Sequence, residues 1–156
     1  MAELTHVDES GAARMVDVSG KDVSARTATA RGRVVVSAEV VQLLRDGALP
    51  KGDALAVARI AGIMAAKRSP DLVPLCHPIA IHGVDVDLAV GDTSVNVSAT
   101  VRTADRTGVE MEALTCVTVA CLALFDMVKA VDPAAQITDV CVVEKTGGKT
   151  GHWSRA

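Results

Sequence analysis

Ile79-Ala80-Ile81-His82-Gly83-Val84-Asp85-Val86-Asp87-Leu88-Ala89-Val90-Gly91-Asp92-Thr93-Ser94-Val95-Asn96-Val97-Ser98-Ala99-Thr100-Val101 decides the fold class. Apolar and polar residues alternate on both sides of Gly91-Asp92, the period of a strand with one buried face. The Gly-Asp pair supplies a turn, so the two runs form an antiparallel hairpin. The alternation changes parity at Gly83, which predicts a bulge or bend there.

Working outward, Val23 to Ser37 also reads as a strand, with Val34 and Val36 on one face and Arg31 and Arg33 on the other. Ser37 can cap a short helix over Glu39 to Arg45, ended by Gly47 and Pro50. Asp53 can cap a second helix, Ala54 to Lys67, which Pro70 closes. Arg59 is the only charge between Asp53 and Lys67. A helix so apolar all round is buried on more than one side, which in a small domain points to another subunit. After the hairpin come the longest helix, Val109 to Val131, and a last strand, Ile137 to Val143. The order β-α-α-β-β-α-β is that of an α+β sandwich close to the ferredoxin-like split βαβ plan. It has an antiparallel sheet, helices on one face and one extra helix. The chain divides into an arm over residues 1–21, a core over 22–146 and a flexible tail over 147–156, all one domain.

Composition narrows the function. The 156 residues carry 16 Lys+Arg against 19 Asp+Glu, a net charge of −3 that lacks the basic surplus of a general nucleic-acid binder. Aromatic content is 1%, Phe125 and Trp153, which excludes a base-stacking platform. The four cysteines, Cys76, Cys116, Cys121 and Cys141, form no C-x-x-C, so a reducing compartment is expected. The N-terminus has no signal-peptide pattern. The uncharged run Ala113 to Phe125 is shorter than the roughly 18 to 20 residues a membrane span needs. The expectation is a soluble cytoplasmic protein bound neither to membrane nor to nucleic acid.

Five constellations carry chemistry, and the first four also have a simpler structural reading. Pro70-Asp71-Leu72-Val73-Pro74-Leu75-Cys76-His77-Pro78 brackets a Cys-His pair with prolines, either fixing an imidazole for binding or forming a stiff crossover. Glu110 and Glu112 open the long helix, where the helix dipole favours carboxylates, yet two acids there also suit the amide edge of a guanine-like ring. Asp126 and Lys129 lie three apart after a long uncharged run, as an acid/base pair or a surface ion pair. Lys145-Thr146-Gly147-Gly148-Lys149-Thr150-Gly151 imitates a P-loop but has Val143 where the pattern needs glycine. Such a loop still holds phosphate through backbone N–H groups and ammonium charge, or is a basic tail. Lys51-Gly52-Asp53 places a lysine at a helix start suited to an anion. A zinc hydrolase built on Cys76 and His77 lacks a spaced third ligand. A nucleotide-binding regulatory module would explain the Gly-Gly-Lys loop but not the Asp126/Lys129 pair.

The segments Leu4-Thr5-His6, Met15-Val16-Asp17-Val18-Ser19, Lys51-Gly52-Asp53, Ala58-Arg59-Ile60-Ala61-Gly62, Ala65-Ala66-Lys67-Arg68, Leu75-Cys76-His77-Pro78, Thr107 to Thr115, Asp126-Met127 with Lys129-Ala130, and Lys145-Thr146-Gly147-Gly148-Lys149 occur in one order along nearly the whole chain. Together they resemble the cyclic pyranopterin monophosphate synthase family, the C proteins of molybdenum cofactor biosynthesis. The resemblance implies a phosphorus–oxygen lyase. Its substrate would be a cyclised dihydro-GTP, rearranged to cyclic pyranopterin monophosphate with release of diphosphate. It implies a ferredoxin-like fold and a hexamer built as a trimer of dimers. It implies no tightly bound cofactor and no metal site in the protein, with Mg2+ accompanying the triphosphate. By the same carry-over Asp126 is the catalytic acid/base, with Lys129 and Lys51 beside it. Leu75, Cys76, His77, Met111, Glu112 and Glu110 line the substrate pocket, and Arg26, Arg59, Lys67 and Lys145 belong to it.

Overall fold

The computed structural model describes residues 5–156. Residues 1–4 of the arm, with Leu4 of the Leu4-Thr5-His6 segment, lie outside the described residues. The elements are β1 (Ser24–Val35), α1 (Ala38–Asp46), α2 (Ala54–Ala66), α3 (Ser69–Leu72), β2 (Gly83–Val90), β3 (Ser94–Asp105), α4 (Glu110–Val128), β4 (Gln136–Thr146) and β5 (Trp153–Ser154). They form one antiparallel sheet in the order β2-β3-β1-β4-β5. Since β1 and β2 both run antiparallel to the strand between them, they are parallel to each other, which is the split βαβ expected from the sequence.

The β2–β3 hairpin pairs in the register that its alternation dictates, Val90 opposite Val95 and Val84 opposite Val101. Val95, Val97, Ala99 and Val101 point under the helices and are fully buried, as are Ala28, Ala30 and Val34 of β1. α4 crosses β1, β3 and β4, and α2 packs beside α4 and over β2. Gly62 permits that close approach, because a Cβ on it would lie 2.9 Å from the Cys116 carbonyl oxygen and 3.1 Å from the Ala120 Cβ. α4 is the one helix among the described residues long and apolar enough to cross a membrane by length and composition, but half of it is buried as the core helix of this sandwich.

The caps form as the residue types require. The Ser37 side chain accepts from the Val40 N–H, and Asp53 from the Ala56 N–H. Several boundaries differ from expectation. Pro70 does not close α2, which ends at Ala66; it sits in the first turn of α3, where a missing N–H costs nothing. The strand expected from Ile79 begins at Gly83, although the His82 N–H still reaches the Arg102 carbonyl at 2.9 Å. α4 stops three residues short of Val131. The tail contains β5, whose Trp153 pairs with Lys145 of β4, so the sheet gains a strand the alternation did not signal.

Candidate active site

The first turn of α4 and the Cys76-His77 connection meet over a cavity of about 470 Å³. Glu112 is 2% exposed there, carried inward by the helix face that also buries Ala113 and Cys116. Its Oε1 accepts from the Cys76 thiol at 3.6 Å, and its Oε2 has no hydrogen-bond partner. Burial pushes the Glu112 carboxyl above its ordinary range, with the Glu110 charge adding to the effect. Burial, then the Glu112 carboxylate, push the Cys76 thiol up to about 11, so it remains a neutral donor. A buried carboxyl oxygen without a protein partner is costly, and a ligand bringing N–H or O–H donors would satisfy it. Glu110 is instead paired, its Oε1 2.9 Å from the Lys145 ammonium.

A second cavity of about 670 Å³ shares Lys21, Thr107 and Gly108 with the first and adds Ser24, Arg26, Gly148, Lys149 and Thr150. Its lining is basic where the first is acidic. Arg26 is held by the Asp105 and Arg106 carbonyls, to which its Nε and Nη2 donate at 3.1 and 3.3 Å. The Gly147-Gly148 turn closes over this arginine. Both glycines have positive φ, 89° and 72°, and a Cβ on Gly148 would lie 2.1 Å from Arg26 Nη1. No other residue fits that turn without strain. The Ser24 hydroxyl, also without a partner, lines the same cavity.

The other end of α4 carries a separate cluster. Asp126 Oδ1 lies 2.7 Å from Lys129 Nζ, and its Oδ2 lies 3.0 Å from Lys51 Nζ. Lys51 also donates to the Asp126 carbonyl at 2.9 Å. The turn through Gly52, at φ 97°, and the Asp53 cap of α2 place it there. Hydrogen bonds from Lys129 and Lys51, and their charges, hold the Asp126 carboxyl below the usual carboxylate range. The cluster is open to solvent and surrounds a fully ionised acid with two proton donors.

A family model described as the MoaC family matches residues 15–148. The chain belongs to the MoaC family. A Streptomyces avermitilis protein named cyclic pyranopterin monophosphate synthase is 70% identical over 153 residues, which is 98% of this chain and 90% of that protein. A Nocardioides protein of the same name is 70% identical over 155 residues, covering 97% and 95% of the two chains. The protein named cyclic pyranopterin monophosphate synthase 2 from Mycobacterium tuberculosis is 60% identical over 153 residues, covering 98% and 92%.

In this MoaC chain all the expected site residues but Arg59 and Lys67 fall into three sets. Leu75, Cys76, His77, Glu110, Met111 and Glu112 line the first cavity together. Arg26 lines the second, and Lys145, paired with Glu110, lines a smaller cavity with Arg26 beneath the glycine loop. Lys51, Asp126 and Lys129 assemble at the far end of α4. Arg59 and Lys67 line neither cavity; Arg59 donates to the Val86 carbonyl at 3.1 Å, and Lys67 caps α2. Sequence reasoning missed Lys21, which serves both cavities, and Ser24. Their only signals are a lysine after Gly20 and a serine at a strand start, and neither is distinctive.

Among the described residues no group of three His, Cys, Asp or Glu side chains is placed to hold one metal ion. Asp126 and Glu112 are fourteen positions apart on α4, roughly 21 Å along the axis at about 1.5 Å per residue.

Proposed function

We propose that this chain is a cyclic pyranopterin monophosphate synthase acting on a cyclised dihydro-GTP. The observation that carries the reading is 70% identity to proteins of that name over 98% of the chain. The geometry supports the reading. The unpartnered Glu112 carboxyl suits the N–H edge of a guanine-derived ring, and the basic cavity suits the phosphates. Rebuilding a purine ring as a pterin takes several proton transfers, for which Asp126, Lys51 and Lys129 are in mutual hydrogen-bond reach. Closing the cyclic phosphate means attack of a sugar oxygen on the α-phosphorus with diphosphate leaving. Lysine and arginine side chains offset the charge that builds on the leaving oxygens. Mg2+ would arrive with the triphosphate.

The working unit is a homo-oligomer, a hexamer built as a trimer of dimers, in the cytoplasm. One compact nucleotide cannot touch both Glu112 and Asp126 of a single α4. A twofold axis brings the start of one helix near the end of its partner's, so each site takes its two carboxylates from two chains. Val57, Ile60 and Met64 on one side of α2 are 43%, 59% and 54% exposed in the single chain, an apolar stripe suited to that assembly. The decisive experiment incubates the purified protein with the cyclised dihydro-GTP and measures diphosphate and pterin product. Folded oligomer that releases neither would overturn the reading.

A further inference from the structure

Residues 5–21 form one wall of the Glu112 cavity, contributing Thr5, His6, Val16, Val18 and Lys21. This arm has no helix or strand beyond an isolated Val7–Ala13 bridge and is organised by local turns at Asp8 and Asp17. Among the described residues two hydrogen bonds tie it to the body, and in both the arm offers a backbone carbonyl. Arg106 Nε donates to the Lys21 carbonyl at 3.0 Å, and His77 Nε2 lies 2.5 Å from the Val16 carbonyl. A carbonyl only accepts, so Nε2 carries the proton. A neutral imidazole has one N–H, and the contact therefore leaves Nδ1 as its basic atom. His77 also lines the cavity, so the ring that fastens the arm is a ring a ligand meets.

We propose that His77 is a positioning residue: its Nε2–H clasps the arm through the Val16 carbonyl, keeping the cavity wall docked and the ring in the tautomer whose Nδ1 is free to take a proton. While the arm is docked the ring cannot move its proton to Nδ1 without losing the clasp. The cavity is the one proposed above for the substrate ring. The test uses no nucleotide, so its failure leaves the synthase reading standing, and the reverse holds too.

Two measurements on the full-length, ligand-free protein test the assignment. Long-range ¹⁵N–¹H spectra of the histidine rings should show neutral His77 protonated at Nε2 and bare at Nδ1. A proton on Nδ1 would overturn it. Trypsin cleavage after Arg14, an exposed residue of the arm, reads docking directly. His77→Gln places an amide N–H near the Nε2 position and should protect Arg14 as wild type does. His77→Asn is too short to reach the Val16 carbonyl and should be cut about fivefold faster, the factor that corresponds to losing one hydrogen bond of about 1 kcal/mol. Equal rates for wild type and His77→Asn, or Gln behaving as Asn, would refute the clasp; both variants should keep the wild-type melting profile of the core.

Discussion

Replacing Glu112 by glutamine should make the protein more stable and less active, and the stability gain should depend on pH. The carboxyl is 2% exposed, and one of its oxygens has no partner. Burial raises its pKa above the ordinary 4.5. The sign follows from proton binding. Below the ordinary value, folded and unfolded chains are both protonated at this site and nothing is lost. Above it the unfolded chain releases the proton while the folded chain resists. Stability therefore falls as pH rises, until the folded carboxyl also ionises. Glutamine keeps the shape and the oxygen facing Cys76 but does not titrate. It still buries an unpaired N–H, so the gain at pH 8 is only the difference between charged and neutral burial, about 1 kcal/mol or somewhat more. For a chain of this length that raises Tm by about 2–4 °C. Thermal denaturation of both proteins at pH 8 and at about pH 3.5, below the ordinary carboxyl value, should show the gain at the higher pH and its disappearance at the lower. Diphosphate release should fall at least about tenfold in kcat/KM, since a charge-assisted hydrogen bond of ~1.5–3 kcal/mol to the ring is lost. A variant no more stable at pH 8, or equally favoured at both pH values, would refute the reasoning.

Asp126→Asn and Lys51→Ala should each abolish diphosphate release while leaving circular dichroism and Tm near wild type, because the cluster is solvent-exposed; a near-normal rate in either removes it from the chemistry. Mixing Glu112→Ala with Asp126→Asn under subunit exchange should restore part of the activity, since some sites then carry neither lesion. If mass spectrometry verifies exchange and no activity returns, the two-chain site is wrong. Ile60→Glu should shift sedimentation to smaller species by placing a charge in the α2 stripe; an unchanged oligomer would show that the stripe is not an interface. Gly62→Ala should destabilise by about 1–3 kcal/mol through overpacking, seen as a lower Tm, because its Cβ would sit 2.9 Å from the Cys116 carbonyl.

The fold was most legible where a single periodic signal decided the structure. Val95, Val97, Ala99 and Val101 alternate without interruption, and β3 buries all four. Ser37 and Asp53 cap their helices because a short side-chain oxygen satisfies a free backbone N–H regardless of tertiary context. β4 was read too short because the register slips twice against β1, between Thr29 and Ala30 and between Arg31 and Arg33. Asp139, at φ 57°, marks the irregularity. Each slip breaks the two-residue period from which strand length is judged. β5 was illegible for a different reason: its two residues are fixed by the Arg155 N–H to the Val143 carbonyl at 2.8 Å, a contact with no local signature.

The candidate site was legible as residue types and illegible as a place. Glu110 and Glu112 are two positions apart and look equivalent in sequence, yet one is paired with Lys145 and the other is buried with an open oxygen. The helical twist of roughly 200° between them separates their fates: one meets β4, the other the Cys76 connection. The same geometry divides the lysines. Lys21, Lys145 and Lys149 gather with Arg26 at the start of α4, and Lys51 and Lys129 at its end. A chain of net charge −3 thereby holds two local concentrations of cation, one at each end of a helix that carries no charge between Glu112 and Asp126. α4 is too apolar between them to carry a polar cavity along its length. The two ends can serve one nucleotide only if another chain bridges the distance. The uncharged middle of α4 is buried within the chain against α2 and the sheet, whereas the exposed stripe on α2 is the face that the proposed oligomer would cover.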